Sequence, residues 1–224
     1  MPDRAPSDRT TVRRAPDRAA YDRETIDAIL DEALVAHVGF AIEGQPFVIP
    51  MVFGRRGDTL YLHGASASRL VRALARGLAV SVSFTLVDGL VLARSAFHHS
   101  MNYRSVVVLG TARLVDDAEE RLAALRAIVD QIHPDRWEQV RRPSAKELAQ
   151  TFVLALPLDE VSAKQRRGDP IDDEEDYELD VWAGVIPVRR VFDPPAADER
   201  LPATVEVPAL AENYARPIPT REGS

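Results

Sequence analysis

The chain has no cysteine, which excludes a disulfide framework, a thiolate metal site and a cysteine nucleophile. It has no apolar run long enough to cross a bilayer. Its first residues carry Asp3, Arg4, Asp8, Arg9, Arg13 and Arg14 where an export signal needs an apolar segment. A reducing cytoplasm is the expected compartment, with no membrane partner. Excess positive charge is also missing: the formal net charge is −7, which argues against a nucleic-acid binder. There is no G-x-S-x-G elbow, no Rossmann glycine fingerprint and no internal repeat.

What is present suffices for one domain with tails, since 224 residues at 46% hydrophobic content can bury a sizeable core. Residues 1–20 lack an apolar period and read as a mobile arm or one laid along the surface. Proline recurs without period over 193–224, which reads as a wrapping or disordered tail, leaving 21–192 as the folded domain. Asp22 is placed to cap a helix in which Ile26, Ile29, Leu30 and Leu34 share a face. The period then drops to two. Strands are predicted over 38–42 and 47–53 around a Glu43-Gly44 turn, followed by a turn over 54–58 and a strand over 59–62.

A short helix over 70–76 ends at Gly77. Its approach through Ser66, Ser68 and Arg69 reads equally well as an anion site or as a serine-capped surface helix. A strand over 78–86 runs into Asp88-Gly89, a hairpin signal. Asp116 or Asp117 caps a helix with the stripe Leu122, Leu125, Ile128, Val129 and Ile132, stopped by His133-Pro134. Ser144 and Glu147 form a capping-box pattern before a strand over 151–158, and Pro187 places the strand over 181–188 at an edge. This pattern, mainly β with peripheral helices, fits a small antiparallel barrel whose closure removes exposed edges.

The stretch 90–115 is apolar at both ends and polar in the middle, where His98, His99, Ser100, Asn102, Tyr103, Arg104 and Ser105 crowd donors into what reads as strand. Buried without partners they would cost free energy, so either the backbone leaves the sheet or a polar ligand binds there; the second is favoured. Adjacent His98 and His99 point to opposite faces of a strand and do not readily chelate one metal. The acidic run over 172–176 lacks the ligand spacing of a calcium loop and reads as solvated, so no metal is expected. Ser100 has no convincing carboxylate to orient a neighbouring histidine, which disfavours a hydrolase.

Four segments in order carry a resemblance: Phe47-Val48-Ile49-Pro50-Met51; Leu60-Tyr61-Leu62-His63-Gly64-Ala65 with Ser68-Arg69; Phe97-His98-His99-Ser100-Met101-Asn102-Tyr103-Arg104-Ser105-Val106; and Trp182-Ala183-Gly184-Val185-Ile186-Pro187. Over 11–191 the chain resembles the pyridoxamine 5′-phosphate oxidase-like flavin-binding proteins, and within them the nitroimidazole-resistance branch. The resemblance implies an antiparallel split β-barrel of six or more strands, forming a homodimer with FMN at the subunit interface. It implies that Val48, Ile49, Pro50 and Met51 lie along the isoalloxazine ring and that His63, Gly64, Ala65, Ser66, Ser68 and Arg69 surround the phosphate. It places His99, Ser100, Met101, Asn102, Tyr103, Arg104 and Ser105 along the ribityl chain and ring edge, with Trp182 packing near the ring, often from the other subunit.

Leu70 stands where relatives commonly carry a second cation, so Arg69 is left to hold the phosphate with the serines and helix amides. The substrate residues of true pyridoxamine phosphate oxidases are not recognisable. The implied activity is an FMN-dependent oxidoreduction, with electrons from a reduced nicotinamide or deazaflavin passed to a small aromatic or nitro-bearing acceptor and His63 as the catalytic residue nearest the substrate. The alternative is a non-catalytic flavin or haem carrier for storage or sensing, with His63, His98 and His99 as candidate axial ligands.

Overall fold

A computed structural model describes residues 5–215; the outermost parts of the expected arm and tail, 1–4 and 216–224, lie outside the described residues. In chain order the elements are β1 (Ala19–Ala20), α1 (Arg23–Glu32), β2 (Ala36–Ile42), β3 (Gln45–Met51), β4 (Phe53–Arg56), β5 (Thr59–Ala65), α2 (Arg69–Ala75), β6 (Ala79–Leu92), β7 (Ser100–Thr111), β8 (Arg113–Leu114), α3 (Ala118–Ile132), α4 (Arg136–Gln139), α5 (Ala145–Gln150), β9 (Thr151–Pro157), β10 (Glu160–Arg166), β11 (Gly184–Pro187) and α6 (Ala209–Glu212). The fold is mainly antiparallel β with peripheral helices. Its strands form two hydrogen-bonded sheets, so the barrel is of the split kind and does not close as the meander suggested. One open edge is managed by sequence: Pro46 and Pro50 leave β3 without the N–H groups needed to extend its ladder further. No helix among the described residues is long and apolar enough to cross a membrane.

The chain divides into two compact units. The first takes the residues up to Ala33, Val82–Leu109 and Glu160–Arg189; the second takes Leu34–Ser81, Gly110–Asp159 and the residues from Arg190.

In the first unit the strand order is β1, β10, β7, β6, with β11 paired to β6. Helix α1 starts where the Asp22 carboxylate accepts from the Thr25 amide at 2.8 Å, and it buries Ile26, Ile29 and Leu30. Strand β6 runs straight through Asp88-Gly89, so the hairpin expected there does not form. A Cβ on Gly89 would lie 2.9 Å from Val185 Cγ1 and 3.2 Å from the Ile186 carbonyl, so this glycine serves the close passage of β11 and not a turn. Strand β10 escapes sequence reading because only Val161 and Ala163 show an inward alternation among polar neighbours. It pairs with β7 from Glu160↔Leu109 to Arg166↔Tyr103.

The described part of the arm, residues 5–20, makes contacts within the first unit. Arg9 pairs with Glu160, Lys164 Nζ donates to the Arg14 carbonyl at 2.7 Å, and the Val12 amide donates to the Tyr21 hydroxyl at 2.9 Å. The acidic run is not wholly solvated either. Asp172 is buried, accepts from the Arg94 amide at 3.0 Å and pairs with the Arg94 guanidinium at 3.2 Å. Burial alone would raise its pKa, but the Arg94 guanidinium and the amides of Arg94 and Ser95 outweigh that and hold the carboxyl below its usual range.

In the second unit β2 and β3 form a hairpin in register Ala36↔Met51 to Ile42↔Gln45. Its turn residues Glu43 (φ 52°) and Gly44 (φ 80°) are both left-handed, as a tight two-residue hairpin requires. The second sheet has the order β4, β5, β9, β8. The turn expected over 54–58 shrinks to Gly57 and Asp58, because β4 continues to Arg56. Gly54 belongs to that strand: a Cβ on it would sit 2.5 Å from the α3 backbone at Ala127 and Ile128.

Asp117 caps α3, accepting from the Glu120 amide at 2.7 Å. Of the expected stripe only Ile128 is fully buried, joined by Ala124, while Leu122 and Ile132 remain exposed. The capping box of Ser144 and Glu147 is complete. Phe53, Leu60, Leu62, Leu74, Leu154 and Leu156 form the largest fully buried side chains of this unit. Part of the proline-rich tail returns to the end of α3, where the Tyr214 ring meets Phe192 edge-on at 4.7 Å and lies 6.2 Å from the His133 ring.

Candidate functional site

In the second unit a cleft of about 750 Å³ opens between the β2–β3 hairpin and α2. Side chains two apart on a strand share a face, which puts Phe47 and Ile49 together on the cleft wall. Phe40, paired with Phe47 in the hairpin register, stacks on it with centroids 5.4 Å apart. The opposite rim is cationic. Arg69, Arg72 and Arg76 recur at i, i+3 and i+7, so one side of the α2 segment presents all three.

Arg72 donates to the Ala67 carbonyl at 2.5 Å. Arg69 and Arg76 have no side-chain hydrogen bond or ion pair among the described residues. Glu43 is the single carboxylate residue in the lining. An apolar, partly aromatic wall beside a row of guanidinium forks suits a planar aromatic ligand with an anionic tail.

The expected helix-start phosphate site looks different in detail. Helix α2 has only seven residues, and its Ser68 hydroxyl is engaged as the cap of the Val71 amide at 3.5 Å. The Ser66 amide donates to the Gln150 carbonyl at 2.8 Å. The row of arginines therefore offers more to an anion than the amides do. The second cation absent at Leu70 is made up by Arg72 and Arg76, which supply further charge along the same face as Arg69.

Of the residues singled out in this unit, Ile49, Ser68 and Arg69 line the cleft. Met51 alternates onto the face of Ile49, whereas Val48, 68% exposed, and Pro50 lie on the opposite face of β3. His63, Gly64, Ala65 and Ser66 precede α2 without lining the cleft. Gly64 admits Val71, whose Cγ2 would stand 2.6 Å from a Cβ there. The His63 Nδ1 is buried with no hydrogen-bond partner, and burial lowers the pKa of the ring. Phe47 stands in a family segment without a site role assigned to it, and Phe40, Arg72 and Arg76 are not marked by the sequence. The signal for the two arginines is their spacing from Arg69.

In the first unit the polar knot stays within or beside β7, and His98, His99, Asn102, Arg104 and Ser105 find partners in the same unit, an outcome outside the two alternatives considered. Asn102 is buried; its Oδ1 accepts from Arg166 at 2.5 Å and its Nδ2 donates to the Gly168 carbonyl at 3.0 Å. The Arg104 guanidinium is taken up by two carboxylates, Asp88 at 2.7 and 2.9 Å and Glu32 at 2.5 and 3.0 Å. These hydrogen bonds raise its pKa above the usual arginine value. Ser105 Oγ donates to the Lys164 carbonyl at 3.2 Å, and Tyr103 stands opposite Arg166 in the ladder.

His99 Nδ1 lies 2.9 Å from the Ser95 carbonyl, and His98 Nε2 lies 3.3 Å from Asp173, with Asp176 nearby. Ser100 and Met101 face solvent beside Phe97, which is 90% exposed. Trp182 is 69% exposed, its ring 3.0 Å from where a Gly184 Cβ would stand.

A family model described as pyridoxamine 5′-phosphate oxidase matches residues 22–165. No curated protein matches the chain. Among solved structures, the flavocytochrome Anf3 from Azotobacter vinelandii is 45% identical over 94% of this chain and 98% of its own, with a TM-score of 0.88. The FAD and heme binding protein from Mycobacterium smegmatis is 35% identical over 88% of this chain and 96% of its own, TM-score 0.83. A protein from Bacteroides thetaiotaomicron assigned to 5-nitroimidazole antibiotic resistance is 29% identical over 65% of this chain and 85% of its own, TM-score 0.55.

Proposed function

The chain belongs to the pyridoxamine 5′-phosphate oxidase family, and from that premise we propose that it is a flavin-dependent oxidoreductase whose flavin occupies the cleft between the β2–β3 hairpin and α2. One observation carries the reading: Arg69 and Arg76, without side-chain hydrogen bonds or ion pairs among the described residues, flank Arg72 along a cleft whose far wall is Phe40, Phe47 and Ile49. The aromatic wall takes the isoalloxazine system and keeps water from one of its faces. The arginines take the phosphate of FMN, or the two phosphates of FAD. The flavin supplies the redox chemistry, accepting electrons from a reduced nicotinamide or deazaflavin and delivering them to a small acceptor. Likeness to a protein assigned to nitroimidazole resistance makes a nitroaromatic the first acceptor to try.

The test is the absorbance of the purified protein and of the double variant Arg69→Ala/Arg76→Ala. The double variant is expected to lose the two-banded flavin spectrum while keeping its thermal midpoint. Full flavin occupancy in it would place the phosphate elsewhere. Chromatography of the released flavin distinguishes FMN from FAD, and bleaching by NADPH or reduced deazaflavin followed by recovery with the acceptor identifies turnover.

A second cofactor is favoured by a specific observation. His99 has its Nδ1 against the Ser95 carbonyl, the arrangement that orients a histidine and leaves Nε2 for a metal, beside exposed Phe97. Two similar structures are named for binding haem as well as flavin. His99 would then hold a haem iron in the first unit, and His99→Ala should remove a Soret band without removing flavin; a Soret band undiminished in that variant overturns the assignment. A homodimer is part of this reading. Among the described residues strand β3 pairs with β2 alone and exposes Phe47 and Val48, and a second copy would pack over those side chains without extending the proline-guarded ladder. Sedimentation of the purified protein tests it.

A further inference from the structure

Among the described residues of the first unit, Arg94, Arg104 and Arg166 are largely buried, and carboxylates neutralise the first two. Arg94 is paired with Asp172, and Arg104 with both Glu32 and Asp88. Arg166 is 6% exposed, yet it donates only to neutral oxygens: Asn102 Oδ1 at 2.5 Å, the Gly168 carbonyl at 3.2 Å and the Asp169 carbonyl at 2.9 Å. No carboxylate pairs with it among the described residues. Those bonds use three of the five N–H groups of a guanidinium and leave two for another acceptor. A buried charge held without a counter-charge is costly, and the cost is recovered when an anion supplies one.

Space for an anion lies beside it. A cavity of about 540 Å³ at the end of β10 is lined by Arg166 together with Arg18, Arg167, Asp17, Gln165 and Thr25. Three arginines face one aspartate there, and Asp17 is itself exposed. Arg18 makes no side-chain hydrogen bond or ion pair among the described residues, and its charge adds to the burial that disfavours the Arg166 cation. We propose that this cavity is an anion-binding site, distinct from the cleft beside α2, that takes a small ligand through a phosphate or carboxylate group, with Arg166 as its buried cation and Arg18 at its mouth. The planar fork of Arg166, fixed by Asn102 and two carbonyls, is pre-organised to meet two oxygens of such a group. The oxyanion has two sources: a free small molecule, or the anionic tail of a cofactor bound to the same chain.

Calorimetric titration with inorganic phosphate tests this. The full chain is used as purified and after removal of bound cofactor, with ionic strength matched by sodium chloride. The expected result is one saturable site per chain, weakened at least tenfold in Arg18→Gln and lost in Arg166→Met. Arg18→Gln changes a partly exposed side chain and keeps the test decisive if Arg166→Met does not fold. Binding in both forms of the protein identifies a free ligand, and binding only after cofactor removal identifies the cofactor's tail; either supports the site. No saturable binding in either form, or equal binding by Arg18→Gln and the unaltered chain, overturns it.

Discussion

Replacing Arg104 by Met decides whether this arginine, which lies inside a family motif, serves a ligand or the fold. In the structure its guanidinium bridges Glu32 and Asp88, and the three side chains are 20%, 18% and 33% exposed. Removing one partner of a fully buried ion pair costs about 3–5 kcal/mol. Water reaching a fifth to a third of each group here screens part of that, which brings the expected loss to about 2 kcal/mol. In a chain of this size each kcal/mol moves the thermal midpoint by about 2–4 °C, so Arg104→Met should melt about 4–8 °C lower.

The same substitution on an Asp88→Asn background should cost less, because only one carboxylate is left without its cation. A coupling of about 1 kcal/mol between the two changes is expected from urea titrations of the four proteins. Destabilisation below about 0.5 kcal/mol, or loss of flavin absorbance with an unchanged midpoint, would refute the structural role and return Arg104 to the cofactor.

Gly54→Ala places a methyl 2.5 Å from the α3 backbone and should cost about 1–3 kcal/mol in urea unfolding at unchanged m-value; an unaffected midpoint would mean that α3 shifts freely on β4. Burial lowers the pKa of His63, so as pH falls below about 6.5 the unfolded chain takes up a proton before the folded one does. The His63 contribution to stability is therefore complete above that pH and is lost as pH drops through the folded value. His63→Gln should flatten the fall in stability between about pH 6.5 and pH 5, and parallel slopes for the two proteins would contradict it.

The elements that could be read from sequence are those whose signals are local. Glu43-Gly44 made the first hairpin visible, and Asp22, Asp117 and Ser144 marked three helix starts that the structure keeps. Where a distant neighbour decides, local chemistry misleads. Asp88-Gly89 has the composition of a turn, but β11 needs the bare glycine and Arg104 needs the aspartate, so the strand continues. The polar knot invited a ligand because its partners Glu32, Asp88 and Arg166 lie in other stretches of the chain. At the cleft, Arg69 and Ser68 were legible through the family motif, whereas Arg72 and Arg76 emerge only once the shared helix face is known.

Each unit is assembled from three separated stretches, and this sets a timetable for synthesis. Strand β7 leaves the ribosome with one ladder edge bare until β10 arrives to cover it, while the hairpin of β2 and β3 is complete far earlier. During that interval a growing chain offers an unpaired apolar strand to whatever is nearby, a chaperone or another nascent copy. The yield of native protein should consequently respond to translation speed and chaperone supply, and a gene split between β7 and β10 hands both fragments an unfinished sheet.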